Sequence, residues 1–187
     1  MRLSLIVPMA AAVLALAPLA SAVNLPRPTP EFAVQMPGGK QILLSSFRGK
    51  VVLVQFLYTT CPHCQATSQM LTKLSNEYSS RGVQVVGVAF NEMAGMLVPD
   101  YVKDYHVAFP VGFSPRDPVL AYLGLSPMER FVVPQIVLID KKGDIRFQSP
   151  PLGDERLQDE TYLRQQIEML LKEKGGVHHM ASATKRP

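Results

Sequence analysis

The feature that most constrains this chain is a junction. A run of β-branched and aromatic residues over positions 51–58 breaks at Thr59 and Thr60 and leads directly into Cys61-Pro62-His63-Cys64, which holds the only two cysteines of the sequence. The run reads as a buried strand and the residues after Cys64 as a helix. Two cysteines at this spacing can staple a fold, bind a metal or carry redox chemistry. A staple would add little, because closing so short a loop removes only about 2 kcal/mol of unfolded-state entropy in the chain-entropy model. A structural zinc wants four Cys or His ligands, and the other histidines, His106, His178 and His179, form no second pair at finger spacing. Redox chemistry is favoured, because a strand followed by C-x-x-C and a helix is the context that makes the motif specific.

The position of the first cysteine supplies the reason. At a helix N-terminus, unpaired backbone N–H groups and the positive end of the helix dipole stabilise a thiolate over a thiol. Cys61 falls there and is expected to be the attacking sulfur. Pro62 suits the first turn, where its missing N–H costs nothing, and Cys64 lies within reach as the resolving sulfur.

Residues 1–22 carry Arg2, an apolar run and the small-x-small ending Ala20-Ser21-Ala22, the pattern of a cleaved signal peptide. The run is short for a membrane span and interrupted by Pro8 and Pro18, so membrane contact is expected only through this segment. Residues 23–174 are then one domain, and 175–187 a flexible tail without periodicity. Losing Arg2 lowers the formal charge from +4 to +3, and the basic residues are scattered, which argues against nucleic acid. An exported chain whose only cysteines form one C-x-x-C belongs where disulfides are exchanged, in the periplasm or another extracytoplasmic space.

Residues 24–30 read as an extended lead-in with three prolines. Residues 32–36 and 41–44 flank Pro37-Gly38-Gly39-Lys40, a hairpin signal. The helix after Cys64 should run to about Arg81, with Met70, Leu71, Leu74 and Tyr78 on its buried stripe and Gly82 ending it. Residues 83–90 form another apolar strand, giving a right-handed βαβ unit with a parallel pair. Residues 98–106 read as helix, 109–113 as extended and 118–123 as helix. Residues 132–139 and 145–148 read as strands around a turn at 140–144, and 161–174 as a closing amphipathic helix with Leu163, Ile167, Leu170 and Leu171 inward. The nine methionines are spread rather than boxed, and Asp159, Glu160 and Glu168 read as helix-start and solvent-face charges. Phe56 and Tyr58 read as core packing.

This order resembles the thioredoxin fold: an α/β domain with a central mixed sheet flanked by helices and an N-terminal β-hairpin. In detail the chain resembles the exported TlpA-like and ResA-like redoxins, related to the AhpC/TSA branch. The matching residues are Pro30-Glu31-Phe32, Gly39-Lys40, Phe47-Arg48-Gly49-Lys50, Cys61-Pro62-His63-Cys64, Phe109-Pro110-Val111, Val133-Pro134 and Leu138-Ile139-Asp140 with Gly143. The resemblance implies a thiol-disulfide oxidoreductase working through Cys61 and Cys64, with protein thiol or disulfide clients and a redox partner protein; no cofactor or metal is expected, and the chain is expected to be a monomer. It also implies that the Val133–Pro134 bond is cis and that these two residues bind substrate.

Departures from the family carry information. Thioredoxin has a buried aspartate, and its exported relatives commonly an asparagine, where this chain has Gln55, which cannot take a proton. The glutamate common three residues after the second cysteine is replaced by Thr67, and tryptophans by Leu57 and Thr60, so Cys64 lacks an obvious protein base. Cys61-Pro62-His63-Cys64 resembles the active-site sequence of the strong oxidant DsbA, which also resembles this chain in the valine before its cis-proline. A nearby imidazolium would stabilise the Cys61 thiolate and hence the reduced state, making the disulfide more oxidising. The helical insertion of DsbA-like proteins is absent from the sequence. A peroxiredoxin-like antioxidant would need Pro-x-x-x-Thr before its cysteine, which residues 57–60 do not offer. A Sco-like copper chaperone would separate its cysteines by three residues, although Cys61, Cys64 and His106 could together hold Cu(I).

Overall fold

The computed structural model describes residues 24–173. The signal segment 1–22, the tail 175–187 and the tail histidines His178 and His179 lie outside the described residues. The elements in chain order are β1 (Arg27–Pro28), β2 (Ala33–Gln35), β3 (Gln41–Leu43), β4 (Val51–Leu57), α1 (Pro62–Tyr78), β5 (Val83–Ala89), α2 (Ala94–Asp104), β6 (Val111–Phe113), α3 (Arg116–Leu123), β7 (Gln135–Ile139), β8 (Asp144–Gln148) and α4 (Glu160–Lys172).

The strands form one mixed sheet in the order β1-β8-β7-β4-β5-β6-β2-β3. β4 lies at its centre, parallel to β5 and antiparallel to β7. All seven of its residues are buried. Because side chains alternate along a strand, Val51, Leu53 and Leu57 join the core under α1, α2 and α4, while Val52, Val54 and Phe56 join the core under α3. Each apolar side chain so buried contributes roughly 1.5–3 kcal/mol. Gln55 points to the same face as Leu53 and Leu57, towards α1, and is the one polar residue in the strand.

The hairpin of β2 and β3 sits at one sheet edge and pairs with β6 through Gln35 and Phe113. Its approach is so close that a Cβ at Gly112 would lie 2.3 Å from the Gln35 carbonyl oxygen. At the other edge, β1 pairs with β8, so the proline-rich lead-in contributes a two-residue strand that its sequence does not announce. The turn after β7 is tied by Asp140, whose Oδ1 accepts from the backbone N–H of Lys142 (2.9 Å) and Asp144 (3.0 Å), the side-chain-to-backbone turn expected of aspartate.

Three elements differ from the sequence expectation. The stripe of α1 runs through Cys64, Thr67, Ser68, Leu71, Leu74, Ser75 and Tyr78, with Met70 only partly buried at its margin, so polar residues share the buried face. α2 begins four residues earlier than Val98 and ends at Asp104, leaving His106 outside in the left-handed region at φ 52°. Pro99 lies inside the helix, and the turn before it is held by buried Ala94 and Val98. β7 starts at Gln135 rather than Val132, because Pro134 has no N–H to give a ladder and the Val132 N–H bonds the Pro151 carbonyl instead, at 2.9 Å.

Candidate active site

The site lies where the C-terminal ends of β4 and β5 face the N-terminus of α1. After Leu57 the chain turns sharply, with the Cys61 N–H donating to the Tyr58 carbonyl at 3.1 Å. Two side chains fix that turn. Asn91, just past β5, accepts from the Thr59 N–H (3.0 Å) and donates to the Thr59 hydroxyl (3.1 Å), and Gln65 of α1 donates to the Thr59 carbonyl (3.0 Å).

Cys61 is the N-cap of α1, in extended backbone conformation, and its sulfur accepts the Cys64 N–H at 3.3 Å. The sulfur thus takes the role that serine or aspartate oxygen usually fills at a helix start, and a thiolate there meets an otherwise unpaired donor. Pro62 occupies the first helical position. Cys61 is half-buried, Pro62 and His63 are exposed, and Cys64 is fully enclosed. Both thiols are free. Burial pushes the Cys64 thiol well above the ordinary thiol range, and its hydrogen bond to the Cys61 sulfur pushes it in the same direction.

Behind Cys64 lies a polar cluster. Gln55 donates from Nε2 to the Cys64 carbonyl (3.0 Å), the Ser68 hydroxyl donates to Gln55 Oε1 (2.7 Å), and the Tyr101 hydroxyl of α2 contacts Ser68 Oγ (2.7 Å) and the Cys64 carbonyl (3.2 Å). No carboxylate takes part in these bonds. Thr67 is buried on the same helix.

Across from the cysteines, the Val133–Pro134 peptide bond is cis. The Val133 carbonyl lies 3.8 Å from Cys61 Sγ, and Gln135 Nε2 braces the approach by donating to the carbonyls of Val132 (2.8 Å), Pro150 and Pro151 (3.2 Å each). Beside this segment, Tyr58, Arg116, Phe131, Val132 and Val133 line an open cleft of about 510 Å³. Tyr58, Phe90 and Phe131 form an aromatic row, with ring centroids 4.7 Å and 6.0 Å apart, and the Arg116 guanidinium lies over Phe131. Tyr58 is therefore more than core packing: it is half-buried and faces the cleft. Phe56 is wholly core, as its place on β4 demands.

All six residues singled out in the sequence, Cys61, Pro62, His63, Cys64, Val133 and Pro134, gather at this one place. His106 does not join them: among the described residues no group of three or more His, Cys, Asp or Glu side chains could hold a metal. Sequence reasoning missed Asn91, Gln65, Ser68, Tyr101 and Gln135. For Ser68 a signal existed, since it follows Cys64 by four residues and so shares its helix face.

The Redoxin family model matches residues 26–165. The chain belongs to the Redoxin family. Among curated relatives of this redoxin are the thiol-disulfide oxidoreductase ResA of Bacillus thuringiensis, 30% identical over 116 residues that cover 62% of this chain and 64% of the relative, and ResA of Bacillus subtilis, also 30% identical and covering 62% of each. The match thus spans less than two thirds of these relatives' length. Solved structures give the same fold over a larger share. A thiol:disulfide interchange protein of the thioredoxin family from Chlorobium tepidum superposes with a TM-score of 0.64 at 25% identity, covering 80% of this chain and 99% of that one. A candidate protein disulfide isomerase from Bacteroides thetaiotaomicron superposes at 0.67 with 28% identity, covering 81% and 92%. The redoxin has a thioredoxin-like fold.

Proposed function

We propose that this redoxin is a thiol-disulfide oxidoreductase that exchanges disulfides with protein clients through Cys61 and Cys64. The observation that carries the reading is the asymmetry of the pair: one sulfur is partly exposed and caps a helix, the other is enclosed three residues behind it. The exposed thiolate attacks a client disulfide, giving a mixed disulfide on Cys61 and a client thiolate. Cys64 then attacks Cys61 Sγ and expels the second client sulfur, so two electrons pass from the cysteine pair to the client. In the opposite direction a client thiolate opens the Cys61–Cys64 disulfide at Cys61.

Val133 and Pro134 are the client-binding residues of this reading. The Val133 carbonyl beside Cys61 offers an extended client segment a backbone acceptor next to the reacting sulfur. His63 tunes the pair in this reading, its exposed side chain standing in the first turn of α1 beside the N-terminal N–H groups. The signal-like segment 1–22 puts this chemistry outside the cytoplasm, where a redox partner protein renews the active form. Among the described residues no helix is long and apolar enough to cross a membrane.

The test is to incubate Cys64→Ser and Cys61→Ser with a scrambled disulfide-bonded protein and look for mixed disulfides by non-reducing mass spectrometry. Cys64→Ser should hold the client on Cys61 and Cys61→Ser should hold none. Trapping on Cys64, or on neither, would reject the assignment.

A further inference from the structure

The polar cluster behind Cys64 contains fewer hydroxyl hydrogens than contacts that need them. Gln55 Oε1 can only accept, so its 2.7 Å contact with Ser68 uses the Ser68 hydrogen. The 2.7 Å contact between Ser68 Oγ and Tyr101 Oη then requires the Tyr101 hydrogen, and none is left for the 3.2 Å contact from Tyr101 to the Cys64 carbonyl. Swinging the Tyr101 hydrogen to that carbonyl leaves Ser68 and Tyr101 with one hydrogen too few between Gln55 and themselves. Gln55, Ser68 and Tyr101 are all enclosed, so water does not make up the difference from the surface.

We propose that Tyr101 is a positioning residue for Cys64, its hydroxyl hydrogen alternating between Ser68 and the Cys64 carbonyl and turning to the cysteine when Cys64 carries negative charge. The inference rests on the thiol-disulfide reading. In that chemistry a client thiolate attacks Cys61 Sγ, the Cys61–Cys64 bond breaks, and its electron pair leaves on Cys64 as a thiolate, which then takes a proton from solvent. In the reverse step the Cys64 thiolate attacks Cys61 Sγ and the client thiolate departs. Both steps pass through a charged, enclosed Cys64, which a low-dielectric site penalises unless dipoles turn towards it. The groups around it are few. Cys61 and exposed His63 stand on the same turn, a Tyr58 backbone group reaches the thiol, β4 presents neutral Gln55, α2 presents Tyr101 with Tyr105 tilted against it at 5.2 Å, and apolar Val133, Leu138 and Leu163 belong to the same core cluster. Burial also drives the Tyr101 phenol away from ionising, so it serves as a neutral dipole and not as a base.

The two hydroxyl deletions have opposite consequences. Tyr101→Phe removes the hydrogen that can turn to Cys64. Ser68→Ala removes the competing acceptor and leaves that hydrogen with the Cys64 carbonyl alone. The experiment forms the glutathione mixed disulfide on Cys61 of the full chain and follows Cys64-dependent release of glutathione from pH 6 to 9, with iodoacetamide alkylation of Cys61 in the Cys64→Ser background as control. Tyr101→Phe should slow release roughly tenfold and Ser68→Ala should speed it by about twofold, with Cys61 alkylation unchanged in both, as befits loss or gain of one hydrogen bond near a charge. Slowing by both variants, no change in either, or a parallel change in Cys61 alkylation would overturn the inference and indicate mere packing. Should Ser68→Ala not fold, Tyr101→Phe decides alone. If the parent chain releases glutathione no faster than its Cys64→Ser variant, the thiol-disulfide reading itself fails.

Discussion

Cys61 and Cys64 stand one helical turn apart and meet opposite worlds. In front, the Cys61 sulfur caps α1 and accepts a backbone N–H, and the half-buried Cys61 is followed by exposed Pro62 and His63. Behind, Cys64 is enclosed, its thiol held neutral by burial and its carbonyl tied to Gln55 and Tyr101. The same element makes one sulfur a nucleophile and the other a reserve because a helix start offers unpaired donors at its tip and the sheet core one turn later. Chemistry at the first sulfur is governed by charge near the surface, and at the second by desolvation.

The largest effects come from removing either side of this contrast. Cys61→Ala should abolish disulfide exchange, lowering the rate by several orders of magnitude to that of the uncatalysed reaction, while Cys64→Ala should leave the first attack intact and block turnover. A coupled insulin-reduction assay measures turnover, and stopped-flow reaction with a chromogenic disulfide measures the first attack. Loss of the first attack in Cys64→Ala would erase the division of labour.

A pH experiment sharpens the contrast at the rear. The Cys64 thiol keeps its proton in the folded reduced protein to higher pH than an unfolded thiol, which titrates near about 8.5. Above that value the unfolded state binds fewer protons, so this contribution to stability is fully present below it and is lost as pH rises. The loss approaches about 1.4 kcal/mol per pH unit. Urea unfolding of the reduced parent and Cys64→Ala between about pH 8 and 10 should show the steeper decline in the parent. Parallel declines would mean that Cys64 is not held neutral by the fold.

At the front, Asn91 is the residue whose loss should loosen the turn without touching a sulfur. Asn91→Ala leaves the enclosed Thr59 N–H without its acceptor, at a cost of about 1–3 kcal/mol in urea unfolding. Cys61 alkylation should change in the same variant, while the burial of Cys64, read as protection from alkylation, should persist. Equal exposure of both thiols would show that the turn supports the whole site and not its front alone.

How much of this was legible in the sequence follows from how local each interaction is. β4, the C-x-x-C turn and the start of α1 form one continuous segment whose pattern changes sharply at Thr59, so strand, cap and nucleophile could be read directly. The hairpin and the Asp140 turn were readable for the same reason: their signals lie within a few residues. The supports behind them were not. Asn91 reaches Thr59 across 32 positions and Tyr101 reaches Ser68 across 33, and both are ordinary polar residues outside any motif. Counting apolar residues also hid Ser68, which lies on the buried stripe of α1 but carries a hydroxyl. The start of α2 was misplaced because its first turn is held by the packing of Ala94, a tertiary fact.

The smallest predicted effect belongs to His63. Its side chain is exposed, so its charge acts on Cys61 through water and is worth less than about 1 kcal/mol. With 30 mV of two-electron potential corresponding to roughly 1.4 kcal/mol, His63→Gln should lower the reduction potential by no more than about 20 mV. The sign follows from linkage. An imidazolium stabilises the Cys61 thiolate and therefore the reduced pair, so its removal makes the disulfide harder to reduce and the protein more reducing. The helix N-terminus remains in the variant, which is why the shift should be small. One condition separates this electrostatic account from a steric one: the difference between parent and variant should shrink as salt is raised. Equilibration with glutathione at low and high salt, read by thiol alkylation and mass spectrometry, measures it. Potentials that agree within error at low salt would make His63 a bystander.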